Sequence, residues 1–131
     1  MELITAFATD DGKLFMDRHF GDAKYYDIYR ISASGMELIK RIDNTTEEEE
    51  EEIHADPRKA KDISGLLKEE NVQVVVSKVF GPNIKRIKKN FVCVVMEKEK
   101  EIFDSIAKMQ SFFDIIVREW EKGEDRLIFK I

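Results

Sequence analysis

The sequence predicts an α/β domain on a mixed sheet of five strands, and three observations lead there. Short apolar or aromatic runs separated by turn residues fill the first third of the chain. Two largely apolar runs, 72–77 and 91–96, have the character of parallel strands covered on both faces. Segments with apolar residues three and four apart alternate with those runs. The order β-β-β-α-β-α-β-α suits an opening antiparallel meander followed by right-handed βαβ crossovers, with helices over the sheet. At 131 residues the chain has the length of one domain, so 1–131 is read as a single unit.

Each element has its own warrant. Leu3 to Ala8 is a short apolar strand, and Asp11-Gly12 after it is a turn signal. Beyond Leu14 and Phe15, the run Lys24 to Ile31 is dense in tyrosine and isoleucine and reads as a second strand. Ala33-Ser34-Gly35 turns it into Met36 to Ile42, whose partial alternation predicts an antiparallel third strand. Glu47 to Glu52 repeats one charge with no apolar residue to pack, which predicts a solvated loop. Asp56-Pro57 suits a helix start, since the carboxylate caps a backbone N–H and proline at the first position wastes no donor. Ala60, Ile63, Leu66 and Leu67 then form one apolar face.

Gly81-Pro82 opens a second helix after the strand 72–77, with Ile84 and Ile87 inward and Lys85, Arg86, Lys88 and Lys89 outward. Phe91 to Met96 is the next buried strand. Ile102, Ile106, Met109, Phe113, Ile116 and Trp120 predict one long helix from about 98 to 121, and the tail 126–131 can add a strand. A competing pattern makes β-branched Ile115-Ile116-Val117 a strand that turns at Lys122 to Asp125 into a terminal hairpin.

Composition narrows the function. A formal charge of −5 opposes broad attraction to nucleic acid. The single cysteine, Cys93, excludes an intrachain disulfide and a cysteine-only cluster site, and fits a reducing cytoplasm. Flanked by Val92 and Val94, it reads as a small buried hydrophobe. The start Met1 to Thr5 lacks an export signal, and no run approaches the about 18 apolar residues of a membrane span. With two histidines and one cysteine, no nucleophile-base signature stands out and no phosphate loop is present, so no enzyme is predicted.

Two blocks carry a resemblance. Ala6-Phe7-Ala8-Thr9-Asp10-Asp11-Gly12 leads to His19-Phe20-Gly21 and an Ala23-Lys24-Tyr25 entry into the second strand. Downstream, Val74-Val75-Val76 leads through Gly81-Pro82-Asn83 and a short helix into Phe91-Val92-Cys93-Val94-Val95. In order and separation these resemble the dinitrogenase iron-molybdenum cofactor biosynthesis family over about residues 3–109, with about 110–131 as an extension. The resemblance implies a ribonuclease-H-like three-layer fold. It also implies a non-enzymatic binding or carrier role for an iron-sulfur or iron-molybdenum cluster or its precursor, with cluster-assembly proteins as partners. The implied cofactor-binding positions are His19, Phe20, Gly21, Gly81, Pro82 and Asn83, and His19 and His54 are the implied metal ligands.

The residues themselves leave alternatives open. His19 has an imidazole suited to iron and a glycine two positions on, yet it also suits a turn whose histidine bonds the backbone. His54 lies beside the glutamate run, where a solvated histidine is the plainer reading. Gly81-Pro82-Asn83 would direct helix-start N–H groups toward an anion, or serve only as a strand-to-helix turn. Asp10, Asp11 and Asp27 raise a divalent-metal phosphodiesterase as a weaker candidate. A protein-interaction or regulatory module that keeps the fold without a cluster is the main rival.

Overall fold

The computed structural model describes residues 1–46 and 57–131. The glutamate loop, the Asp56 cap and His54 lie outside the described residues. The elements run β1 (Leu3–Thr9), β2 (Tyr25–Ile31), β3 (Met36–Asp43), α1 (Pro57–Lys68), β4 (Val74–Ser77), α2 (Ile84–Ile87), β5 (Val92–Val95), α3 (Ile102–Ser111), α4 (Phe113–Glu121) and β6 (Phe129–Lys130). One sheet has the order β3-β2-β1-β4-β5-β6. The meander β1-β2-β3 is antiparallel and β1, β4, β5 and β6 are mutually parallel, as crossover connections require.

The two runs are largely apolar because both faces of the central strands are covered. Val75 and Cys93 face one side, where Ala6 and Ala8 leave room for Ile63, Leu67 and Ile87 from α1 and α2. Val74, Val76, Val92 and Val94 face the other, against Ile102, Ile106, Met109, Phe113 and Ile116 from α3 and α4. Cys93 is wholly buried, and burial pushes its thiol far above the ordinary range, so it is an inert packing group. α1 ends at Lys68, and Asn71, with a φ of 60°, takes the left-handed turn that follows. The amides of Asn71 and Val72 then close onto the carbonyls of Lys68 and Leu67, at 3.0 and 3.2 Å.

Three expectations need correction. The sheet has six strands, because Phe129 and Lys130 pair in parallel with Val94 and Val95. The single long helix is two, broken at Phe112, where φ −108° and ψ 18° leave the helical region. The apolar period runs unbroken through the break, and the break brings the Phe112 ring edge-on to Phe129, 5.6 Å between centroids. The hairpin alternative fails with it: Ile115 to Val117 lie inside α4, and the turn Gly123–Asp125 delivers the chain to a parallel strand. At the opposite edge β3 carries a bulge, since Leu38 pairs with Tyr29 and Lys40 with Ile28, which leaves Ile39 over.

Candidate functional site

β1 and β4 lie side by side and parallel, but the chain leaves β1 toward β2 on one side while β4 leads to β5 on the other. In an open α/β sheet the crevice at the carboxyl ends of two such strands is the usual ligand position. The loops that follow these strands carry the two motifs the sequence singles out.

His19 precedes a 3-10 turn, Phe20–Asp22, closed by the Asp22 amide on the His19 carbonyl at 2.9 Å. Phe20 has no exposed surface; its ring stacks on Phe80 at 5.1 Å and tilts against Tyr26 at 5.0 Å. The Tyr26 hydroxyl donates to the Phe20 carbonyl at 2.7 Å, and burial pushes that phenol well up, so it remains a donor. Asn44 Nδ2 donates to the Gly21 and Ala23 carbonyls at 2.7 and 2.8 Å. Phe20 and Gly21 are therefore buried parts of the frame, and the half-buried residue that this frame presents is His19.

The second motif meets the first directly. The His19 and Val79 backbones form an isolated parallel bridge. A Cβ placed on Gly81 would lie 2.5 Å from His19 Nδ1 and 2.7 Å from its Cε1 and Cγ, so the imidazole lies against the bare glycine backbone. The φ of 75° at Gly81 independently favours glycine. Pro82 is exposed, whereas Asn83 is buried, its Oδ1 accepting from Arg86 Nη1 at 3.3 Å. α2 has four residues, and the Ile84 amide donates to the Gly81 carbonyl at 3.2 Å, so the segment closes a strand-to-helix turn.

Lys59 is a site residue that the sequence reading passed over. It is 4 % exposed, its Nζ donates to Thr46 Oγ1 at 2.7 Å, and it lies 3.6 Å from the Asp22 carboxylate beneath the His19 loop. Its Cε sits 3.1 Å from where a Gly21 Cβ would be. The available signal was position: Lys59 adjoins Ala60 and stands four before Ile63, inside the apolar arc of α1.

The three aspartates do not converge. Arg18 holds Asp10 with two bonds of 2.6 and 2.9 Å and, with the Lys24 amide, keeps its carboxyl below the usual range. Asp11 accepts from the Leu14 and Lys13 amides, which lower its pKa, and so closes its own turn. Asp27, 2 % exposed, is bound by Arg41 at 2.7 and 3.2 Å. Each carboxylate is committed within the fold, which gives a two-metal hydrolase no support. Among the described residues no three His, Cys, Asp or Glu side chains gather where they could hold a metal ion.

Among the described residues, no helix is long and apolar enough to cross a membrane. No curated protein matches the sequence. The crystal structure of a candidate dinitrogenase from Methanocaldococcus jannaschii is similar over 85 % of this chain and 90 % of that one, at 20 % identity and a TM-score of 0.59, which establishes likeness of fold. Residues 1–111 match the family described as dinitrogenase iron-molybdenum cofactor. On a match that spans most of its length, the chain belongs to the dinitrogenase iron-molybdenum cofactor family.

Proposed function

We propose that this protein is a non-enzymatic carrier that takes an iron-sulfur or iron-molybdenum-type cluster, or its precursor, as cargo at the crevice between β1 and β4. The observation that carries the reading is the His19 imidazole, half-buried and laid on Gly81, where two motifs distant in sequence meet. Imidazole suits iron, and one or two protein ligands give binding that can be reversed when the cargo is passed on. In this reading His54 is the second ligand. Gly81 and Pro82 form the floor and rim, and Phe20, Gly21 and Asn83 keep the frame in place. The strand order also supports assigning a ribonuclease-H-like fold; a single cytoplasmic domain of residues 1–131, with cluster-assembly proteins as its partners, completes the reading.

The test is anaerobic reconstitution of the purified protein with iron and sulfide, with and without molybdate, followed by visible spectra and metal analysis. The wild type is expected to gain cluster absorption, His19→Ala to lose most of it, and His54→Ala to lose less. No uptake by the wild type, under conditions that load another member of the family, would favour the interaction module instead.

A further inference from the structure

We infer that the groove between α1 and α2 is a docking surface for an acidic segment of a partner protein, a reading that does not depend on the cluster site. The groove has a volume of about 410 Å3, and Lys61, Lys68 and Arg86 stand around Ala60, Ser64 and Gly65. That is within the range of built ligand pockets. The charge distribution is uneven: residues 71–96 contain five Lys or Arg and no Asp or Glu, within a chain whose formal charge is −5. Lys61, Lys68, Lys85, Arg86 and Lys89 are exposed. Among the described residues, none of these five is ion-paired. Asp62 of α1 and Glu69 just after it do not line the groove.

Cations at the rim of a concave surface focus a positive field into it. The floor adds what a bare anion would not use. A Cβ on Gly65 would meet nothing within 4 Å, so a side chain from outside has room to rest on Ala60 and the Gly65 backbone. Carboxylates at the rim with an apolar residue on the floor describe an acidic peptide segment, whereas the chain's overall negative charge opposes nucleic acid.

The experiment titrates the full-length protein, isotope-labelled for NMR, with a synthetic peptide alternating glutamate and leucine. Controls are polyglutamate, inorganic phosphate and a short DNA duplex. Saturable shifts confined to residues 57–68 and 84–90 are expected, with affinity falling about tenfold in high salt and in the Lys61→Glu/Arg86→Glu double variant. Gly65→Leu, which fills the floor from the protein side, should weaken the leucine-containing peptide by a similar factor while circular dichroism stays unchanged. The proposal is overturned by equal binding of polyglutamate or phosphate, by preferential binding of DNA, or by shifts elsewhere. It is also overturned if the peptide binds only after Glu47 to Glu52 are changed to glutamine, which would make the chain's own acidic run the occupant. Because no iron is present, failure here leaves the carrier reading standing, and the reverse also holds.

Discussion

Lys59 and Arg126 are both buried cations, 4 % and 5 % exposed, one in the first turn of α1 and one just before β6, yet they are held in different ways. Lys59 places a point charge between a hydroxyl and a carboxylate under the His19 loop. Arg126 spreads a planar group over three bonds, from Nε and Nη2 to the Trp120 carbonyl at 3.2 and 2.9 Å and from Nη1 to the Lys89 carbonyl at 3.0 Å. It also lies over the Trp120 ring at 4.3 Å. The first positions a loop that belongs to the family-matching part. The second fastens the segment beyond residue 111, outside that match, to the turn before β5. A fork that bonds carbonyls needs no matching acid, which is one way to attach added chain without remodelling the charges already present.

This contrast can be broken most severely at Arg126. Arg126→Met should cost about 3 kcal/mol, through lost charge-assisted bonds and the ring contact. Urea unfolding would measure the cost, and hydrogen exchange should quicken at 112–131 while residues 19–23 keep their protection. Lys59→Met should cost less, about 2 kcal/mol, by removing a buried cation from beside the nearly buried Asp22 carboxylate and the Thr46 hydroxyl. Here the exchange pattern should invert, with 19–23 losing protection and the C-terminal segment unaffected; the same pattern from both variants would erase the distinction.

The smallest effect sharpens the comparison from the exposed side. Asp10 grips Arg18 where both are partly in water, and its carboxyl is lowered in the folded state. Its contribution is therefore present above the unfolded carboxyl value and lost as pH falls through the lower folded one. Solvent screening keeps it under about 1 kcal/mol. Acid titration of stability in the wild type and Asp10→Asn should differ above the ordinary carboxylate value of about pH 4 and converge only after the pH has fallen below the lowered folded one.

Much of this was legible from residues alone. Turn chemistry at Asp11-Gly12 and Ala33-Ser34-Gly35 marked the meander, and the largely apolar character of β4 and β5 marked strands covered twice. The α3–α4 break was hidden because Phe113 and Ile116 keep the spacing of Ile102 and Met109 on the same core, so periodicity carries no sign of a change in direction. The tail 126–131 was legible as a candidate added strand, but the two residues of β6 are too few to show its bounds or its direction. At the site, both motifs were visible but their contact was not, since nothing local says that the backbone at 81 must lie bare for the ring at 19. Lys59 was obscured for the opposite reason: a lysine on a charged helix reads as surface until the packing places it inside.

The bulge at Ile39 bears on how the protein behaves in a crowded solution. Among the described residues β3 ends the sheet, and an edge strand eight residues long is a template that other strands, or other copies, can extend. The surplus residue divides that edge into Met36–Leu38 and Lys40–Asp43, two stretches out of step with each other. An incoming strand that matches one stretch mismatches the other, and Lys40 and Arg41 add charge at the junction. With exposed Met36, Leu38 and Ile39 alongside, this interruption disfavours continuous pairing along an otherwise sticky border.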